Sequence, residues 1–122
     1  MVQGVGVDIV EVSRIRKSFE TYGKLFSEKI FTRQEIAYCS EKPNPYQHYA
    51  ARFAAKEAFS KATGNGWDSD FSWQEVEVIN ERSGRPVLRL SGSSLKNFGR
   101  KKIFLSLSHS GEYVVAVVVV EN

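Results

Sequence analysis

The sequence predicts a single α+β domain spanning residues 1–122, an antiparallel sheet with helices packed on it. Three observations carry that expectation. Helical periodicity is concentrated in the first half of the chain, β-branched runs flanking turn residues fill the second half, and no repeat or linker divides the two.

Residues 2–9 are rich in Val, Ile and Gly and read as the first strand. From Val12 the apolar positions fall at 12, 15, 19 and 22, a helical face that turns Arg14, Arg16 and Lys17 outward. Thr32 and Glu35 have the spacing of a capping box, so a helix opens there and reaches about Ser40 before Lys42-Pro43-Asn44-Pro45 breaks it. Tyr46 to Thr63 is the longest helical candidate, closed by Gly64-Asn65-Gly66. WQEVEVI and PVLRL flank NERSGR and form a hairpin, SSLKNF supplies a helical turn, and KIFLSLS and YVVAVVVVE flank a second turn at HSGE.

The formal net charge of +3 favours an acidic partner without naming one. A lone cysteine, Cys39, excludes an intrachain disulfide and a multi-cysteine zinc site and fits a reduced, cytoplasmic setting. The N-terminus meets an acid at Asp8, which the apolar stretch of a signal peptide would not carry. The longest apolar run, Val114 to Val120, falls far short of the ~20 residues of a membrane-spanning helix and reads as a buried strand. Nucleic acid is not expected: Arg100-Lys101-Lys102 is a short cluster, and Trp67 and Trp73 lie near Asp68, Asp70 and Glu75. Neither a Walker loop nor a serine-hydrolase elbow is present.

A few residues stand out against this background. Asp8 sits among apolar residues and glycines, where a buried carboxylate is costly unless it is paired or binds a metal; otherwise it caps the next helix or faces solvent at the strand end. Glu57 and Lys61 lie four apart on one helix face, an arrangement that by itself is an ordinary pair worth roughly 0.2–0.5 kcal/mol. Arg52 and Lys56 form a like-charged stack at the same spacing, easier to understand with an anion beside it. An Asp and a helical Glu with cations nearby are the parts of a magnesium site holding a pyrophosphate, because magnesium takes one or two carboxylates plus phosphate oxygens and water. His109, between Ser108 and Ser110 in the expected turn, is either a phosphate or base-edge donor or an ordinary turn histidine.

GVGVDIVEVSRI at 4–15, AARFAAKEAFSKATG at 50–64 and the C-terminal SLSHSGEYVVAVVVVE together resemble the holo-[acyl-carrier-protein] synthases, the small phosphopantetheinyl transferases of fatty-acid synthesis. The resemblance runs the length of the chain. It implies the 4′-phosphopantetheinyl transferase fold and transfer of 4′-phosphopantetheine from coenzyme A to a serine of an acyl carrier protein, with release of adenosine 3′,5′-bisphosphate. By motif position it implies Asp8 and Glu57 as magnesium ligands and Lys61 at the pyrophosphate. It places Arg52 and His109 at coenzyme A phosphate or adenine contacts, and Gly84-Arg85-Pro86 near the adenine. The serine proton would pass to Glu57 or to a metal-held water oriented by Glu57 or Asp8. The resemblance further implies a homotrimer with sites between subunits and an acidic carrier protein docked on Arg14. Arg16, Lys17 and Lys24 join that surface by charge and spacing alone. Thr63 and Asn65 depart from the family's commoner Ala-Leu-Gly-Thr-Gly loop. The alternative from another class is a non-catalytic module that binds an acidic protein or a nucleotide.

Overall fold

The computed structural model describes residues 1–64 and 72–122; the loop residues Asn65, Gly66, Trp67, Asp68 and Asp70 singled out above lie outside them. The chain runs β1 (Val2–Glu11), α1 (Val12–Tyr22), α2 (Lys24–Ile30), α3 (Arg33–Ser40) and α4 (Pro45–Thr63). A short 3-10 turn (Trp73–Glu75) then leads into β2 (Val76–Asn80), β3 (Pro86–Leu90), α5 (Gly92–Phe98), β4 (Lys102–Ser110) and β5 (Tyr113–Glu121).

Each boundary has a local cause. The expected capping box forms at α3: the Thr32 hydroxyl accepts from the Glu35 N–H and the Glu35 carboxylate accepts from the Thr32 N–H. Pro45 opens α4 at a position where its missing N–H costs nothing, and Gly64, at φ +76°, ends it in the left-handed conformation. No side chain caps α1; instead the Val12 N–H donates to the carbonyl of Glu112 in the β4–β5 turn, so the two ends of the sequence brace each other. The periodic face of α1 buries Val12 and Ile15, but Tyr22 is exposed. Helix α2 has no counterpart in the sequence reading. Gly23, at φ +52°, turns the chain after α1 and lets a second short helix start at once.

The antiparallel strands divide into two sheets, β1-β5-β4 and the hairpin β2-β3. In the larger sheet Val5 faces Val119 and Asp8 faces Ala116, while Leu105 faces Val118. Helix α4 crosses the inner face of this sheet with Ala54, Ala55, Ala58 and Phe59 fully buried. Close approach is possible because β1 offers glycine there. A Cβ on Gly4 would overlap the carbonyl oxygen of Ala62, and one on Gly6 that of Ala58. Around the other side of α4, Phe31, Tyr49 and Phe19 stack into an aromatic cluster with ring centroids 4.5 to 6.3 Å apart.

The alternation of β1 leaves its other face bare: Val5, Val7 and Ile9 are 60, 54 and 61% exposed. Register places them beside Val119, Val117 and Val115 of β5, and Phe104 of β4 extends the same apolar surface. The tail strand is therefore buried at Val114, Ala116, Val118 and Val120 only, and not along its whole length.

Candidate active site

Strand β1 and helix α4 build the first part of the site. Along the track on which Gly4 meets Ala62 and Gly6 meets Ala58, the next inward residue of β1 is Asp8. Lys61 reaches it from α4. Its Nζ lies 3.0 Å from Asp8 Oδ1 and donates a second hydrogen bond, of 3.1 Å, to the Val7 carbonyl. Asp8 is thus neither a helix cap nor a solvated strand end; its side chain is 15% exposed and held against α4. Lys61 takes Asp8 as its partner and not Glu57, the residue four before it on the helix. Glu57 is half-buried and makes no ion pair or hydrogen bond to any described residue. The candidate site residues thus comprise one engaged carboxylate, one carboxylate without a partner among the described residues and one ammonium, with Glu57 and Lys61 one turn apart on α4.

The like-charged stack resolves differently. Lys56 turns inward, fully buried, and its Nζ meets Glu35 Oε1 at 2.8 Å and the carbonyls of Trp73 and Val76 at 2.9 and 2.7 Å. The anion beside Lys56 is thus a carboxylate of this chain. Burial pushes the Lys56 pKa down, with Glu35 opposing the shift. Glu35 also accepts from the Val78 N–H, so one buried pair ties α3, α4 and β2 together. Next to it, Glu77 accepts from Arg89 and from the Thr32 hydroxyl, which anchors the β2-β3 hairpin to α3.

Arg52 is 3% exposed. Its Nη2 donates to Asn80 Oδ1 at 2.7 Å, its guanidinium lies 4.2 Å from the centre of the Tyr38 ring, and its buried Nε has no hydrogen-bond partner among the described residues. It lines a cleft of about 240 Å³ with Tyr38, Gln47, His48, Asn80, Pro86, Ser108 and His109. His109 belongs to the last pairs of β4, opposite Val114, and not to the turn, which is confined to Gly111 and Glu112. Its Nδ1 lies 3.2 Å from Gln47 Nε2. Of the expected adenine segment, Pro86 lines the cleft, while Gly84 (φ +91°) and Arg85 sit in the exposed turn above it. Sequence reasoning missed His48 and Asn80. His48 lies four residues before Arg52, hence on the same helix face, a spacing that was visible; Asn80 opens the turn, a position that by itself carries no such signal. Burial together with Arg52, Lys42 and His109 holds the His48 pKa below the usual histidine value.

Arg14, Arg16, Lys17 and Lys24 are all exposed on α1 and α2. Arg14 and Lys17 flank a depression with Ser18, Thr21 and Tyr22, and Arg16 lies over the Tyr46 ring at 5.5 Å. Leu25, 80% exposed, stands beside them.

The model of the 4′-phosphopantetheinyl transferase superfamily matches residues 4–118. This chain belongs to that superfamily. A holo-[acyl-carrier-protein] synthase from Chloroherpeton thalassium is 45% identical over 117 residues, covering 96% of each chain. Among solved structures, the holo-[acyl-carrier-protein] synthase of Neisseria meningitidis superposes with a TM-score of 0.91 at 32% identity, covering 100% of both chains. A holo-(acyl-carrier-protein) synthase from Bacillus anthracis, solved in complex with CoA (3′,5′-ADP), gives 0.84 at 37% identity, over 99% of this chain and 97% of that one. The superfamily likeness thus includes strand β1, the whole of α4 and the cleft.

Proposed function

We propose that this protein transfers the 4′-phosphopantetheine group of coenzyme A to a serine hydroxyl of an apo acyl carrier protein, releasing adenosine 3′,5′-bisphosphate. The observation that carries this reading is the pairing of Lys61 with Asp8 on α4, the helix that also bears Glu57 one turn before Lys61 and Arg52, which lines a cleft with His109. In the reaction a bond forms between the serine oxygen and the β-phosphorus, and the bond from that phosphorus to the bridging oxygen breaks. The departing group is a phosphate ester, so negative charge grows on the bridging oxygen. Lys61, exposed enough to swing from Asp8 and short of no donors, neutralises that oxygen or gives it a proton. Glu57, free of a partner among the described residues, is the carboxylate open to the serine proton. No nucleophile is required from this chain, which accounts for the absence of a catalytic triad motif.

The donor types fit magnesium: two carboxylates, one of them without a partner among the described residues, with water and substrate phosphate to complete the oxygen ligands. Asp8 and Glu57 would hold it. When bound, the metal polarises the pyrophosphate oxygens. Arg52, His109 and Pro86 would seat the nucleotide end of coenzyme A in the cleft. Gly84 and Arg85 would border it from the turn.

The exposed cations Arg14, Arg16, Lys17 and Lys24, with Leu25 among them, form the surface for an acidic carrier protein, steering encounter by charge. The bare apolar face of β1-β5-β4 supports a homotrimer, since a contiguous strip of Val5, Val7, Ile9 and Phe104 is costly to leave in water. No helix among the described residues is long and apolar enough to cross a membrane; a cytoplasmic location is part of this reading, supported by a reaction that uses coenzyme A and an acyl carrier protein.

The test is the intact mass of an apo acyl carrier protein incubated with this protein, coenzyme A and magnesium. A gain of one phosphopantetheinyl group, abolished by a chelator, is expected. An unchanged mass with a carrier that another transferase can load would refute the activity.

A further inference from the structure

We propose that Asn80 is a positioning residue that aims Arg52 into the cleft and couples that aim to the hairpin turn bordering it; this rests on the reading of the cleft as the coenzyme A site. A guanidinium needs several acceptors to fix its direction. The Arg52 guanidinium carbon lies 4.2 Å over the centre of the Tyr38 ring, a contact that holds the group near the ring without fixing where its N–H groups point. The direction is set by the hydrogen bond from Nη2 to Asn80 Oδ1 at 2.7 Å, since Nε has no partner among the described residues. The other end of the same amide is committed too: Asn80 Nδ2 donates to the Gly84 carbonyl at 3.0 Å. Asn80 pairs with Pro86 across the hairpin, and Pro86 lines the cleft that Arg52 faces. One neutral side chain therefore sets the direction of a cation and the position of the wall opposite it. Aspartate could keep the acceptor, but it would lose the donor to Gly84 and cancel charge that an anionic ligand needs.

Asn80 is itself exposed, so its replacement leaves the core untouched. The experiment measures coenzyme A binding by calorimetry, and kcat and KM for coenzyme A, in wild type, Asn80→Ala, Asn80→Asp, Arg52→Gln and the Asn80→Ala/Arg52→Gln double variant. Asn80→Ala is expected to weaken binding and raise KM about tenfold while kcat at saturation stays within about threefold. Asn80→Asp is expected to bind more weakly still. In the double variant the two losses should not multiply: once Arg52 is gone, there is nothing for Asn80 to aim. Normal binding by Asn80→Ala, or losses that multiply, would overturn the role of Asn80 alone. A wild-type protein that does not bind coenzyme A would overturn the reading of the cleft, and this proposal with it.

Discussion

Helix α4 carries two lysines five residues apart, each paired with a carboxylate at about 3 Å, yet they serve opposite ends. Lys56 and Glu35 are wholly enclosed and every polar atom of the pair is answered by protein; Lys61 and Asp8 sit at the edge, with the ammonium half open to solvent. An enclosed pair makes a poor catalyst, because its charges are already spent on each other and on backbone carbonyls. An open pair does little for stability but can change partners. The lesson is that a charge pattern on a helix gives no role until the packing says which way each residue turns.

The largest expected effect comes from breaking the enclosed pair. Lys56→Met leaves Glu35 buried without its cation and should cost roughly 3–5 kcal/mol, read as a fall in the denaturant midpoint. At the open pair the balance should reverse. Glu57→Gln and Asp8→Asn are expected to lower turnover about a hundredfold or more while the melting temperature moves little. Near-normal turnover in either would dissolve the contrast. Lys61→Ala should reduce kcat more than it raises KM for coenzyme A, with a stability change within about 1 kcal/mol for an exposed pair.

A gentler probe concerns His48, near the start of α4 in the cleft. Its pKa is lowered in the folded protein, so the unfolded chain takes up the proton first. Stability should fall as pH drops below about 6.5 and level off below the folded-state pKa. His48→Phe should flatten that part of the profile; an unchanged slope would assign it to other groups. The smallest signal is chemical. Cys39, buried beside the enclosed pair and pushed up to about 12, should resist alkylation in the native protein, and label readily in Lys56→Met or in denaturant.

Much of this was legible in the sequence for identifiable reasons. Thr32 with Glu35 marked a helix start, and Gly64 an end, because caps are local chemistry. Asp8 stood out by cost alone, and Glu57 and Lys61 by spacing. What the sequence hid was direction. It gave Lys61 to Glu57 where the fold gives it to Asp8, and it set Lys56 beside a substrate anion where Glu35, twenty-one positions earlier, stands. Helix α2 was missed because its seven residues are too few to show a period. His109 was put in the turn because Ser-His-Ser-Gly reads as punctuation, whereas pairing with β5 continues to Ser110 opposite Tyr113. Asn80 was invisible as a functional residue since its value lies in the two groups it joins, neither adjacent to it in the chain.

The alternation of β1 has one more consequence. Gly4, Gly6, Asp8 and Val10 face the helix, and Val5, Val7 and Ile9 face away. A deletion or insertion of one residue that slid this strand against β5 would swap the two sets at a stroke. Valine would be driven into backbone that admits only glycine, and the aspartate would be carried to the far side of the sheet. Errors in this strand cannot be partial: alignment, catalysis and surface character stand or fall as a unit.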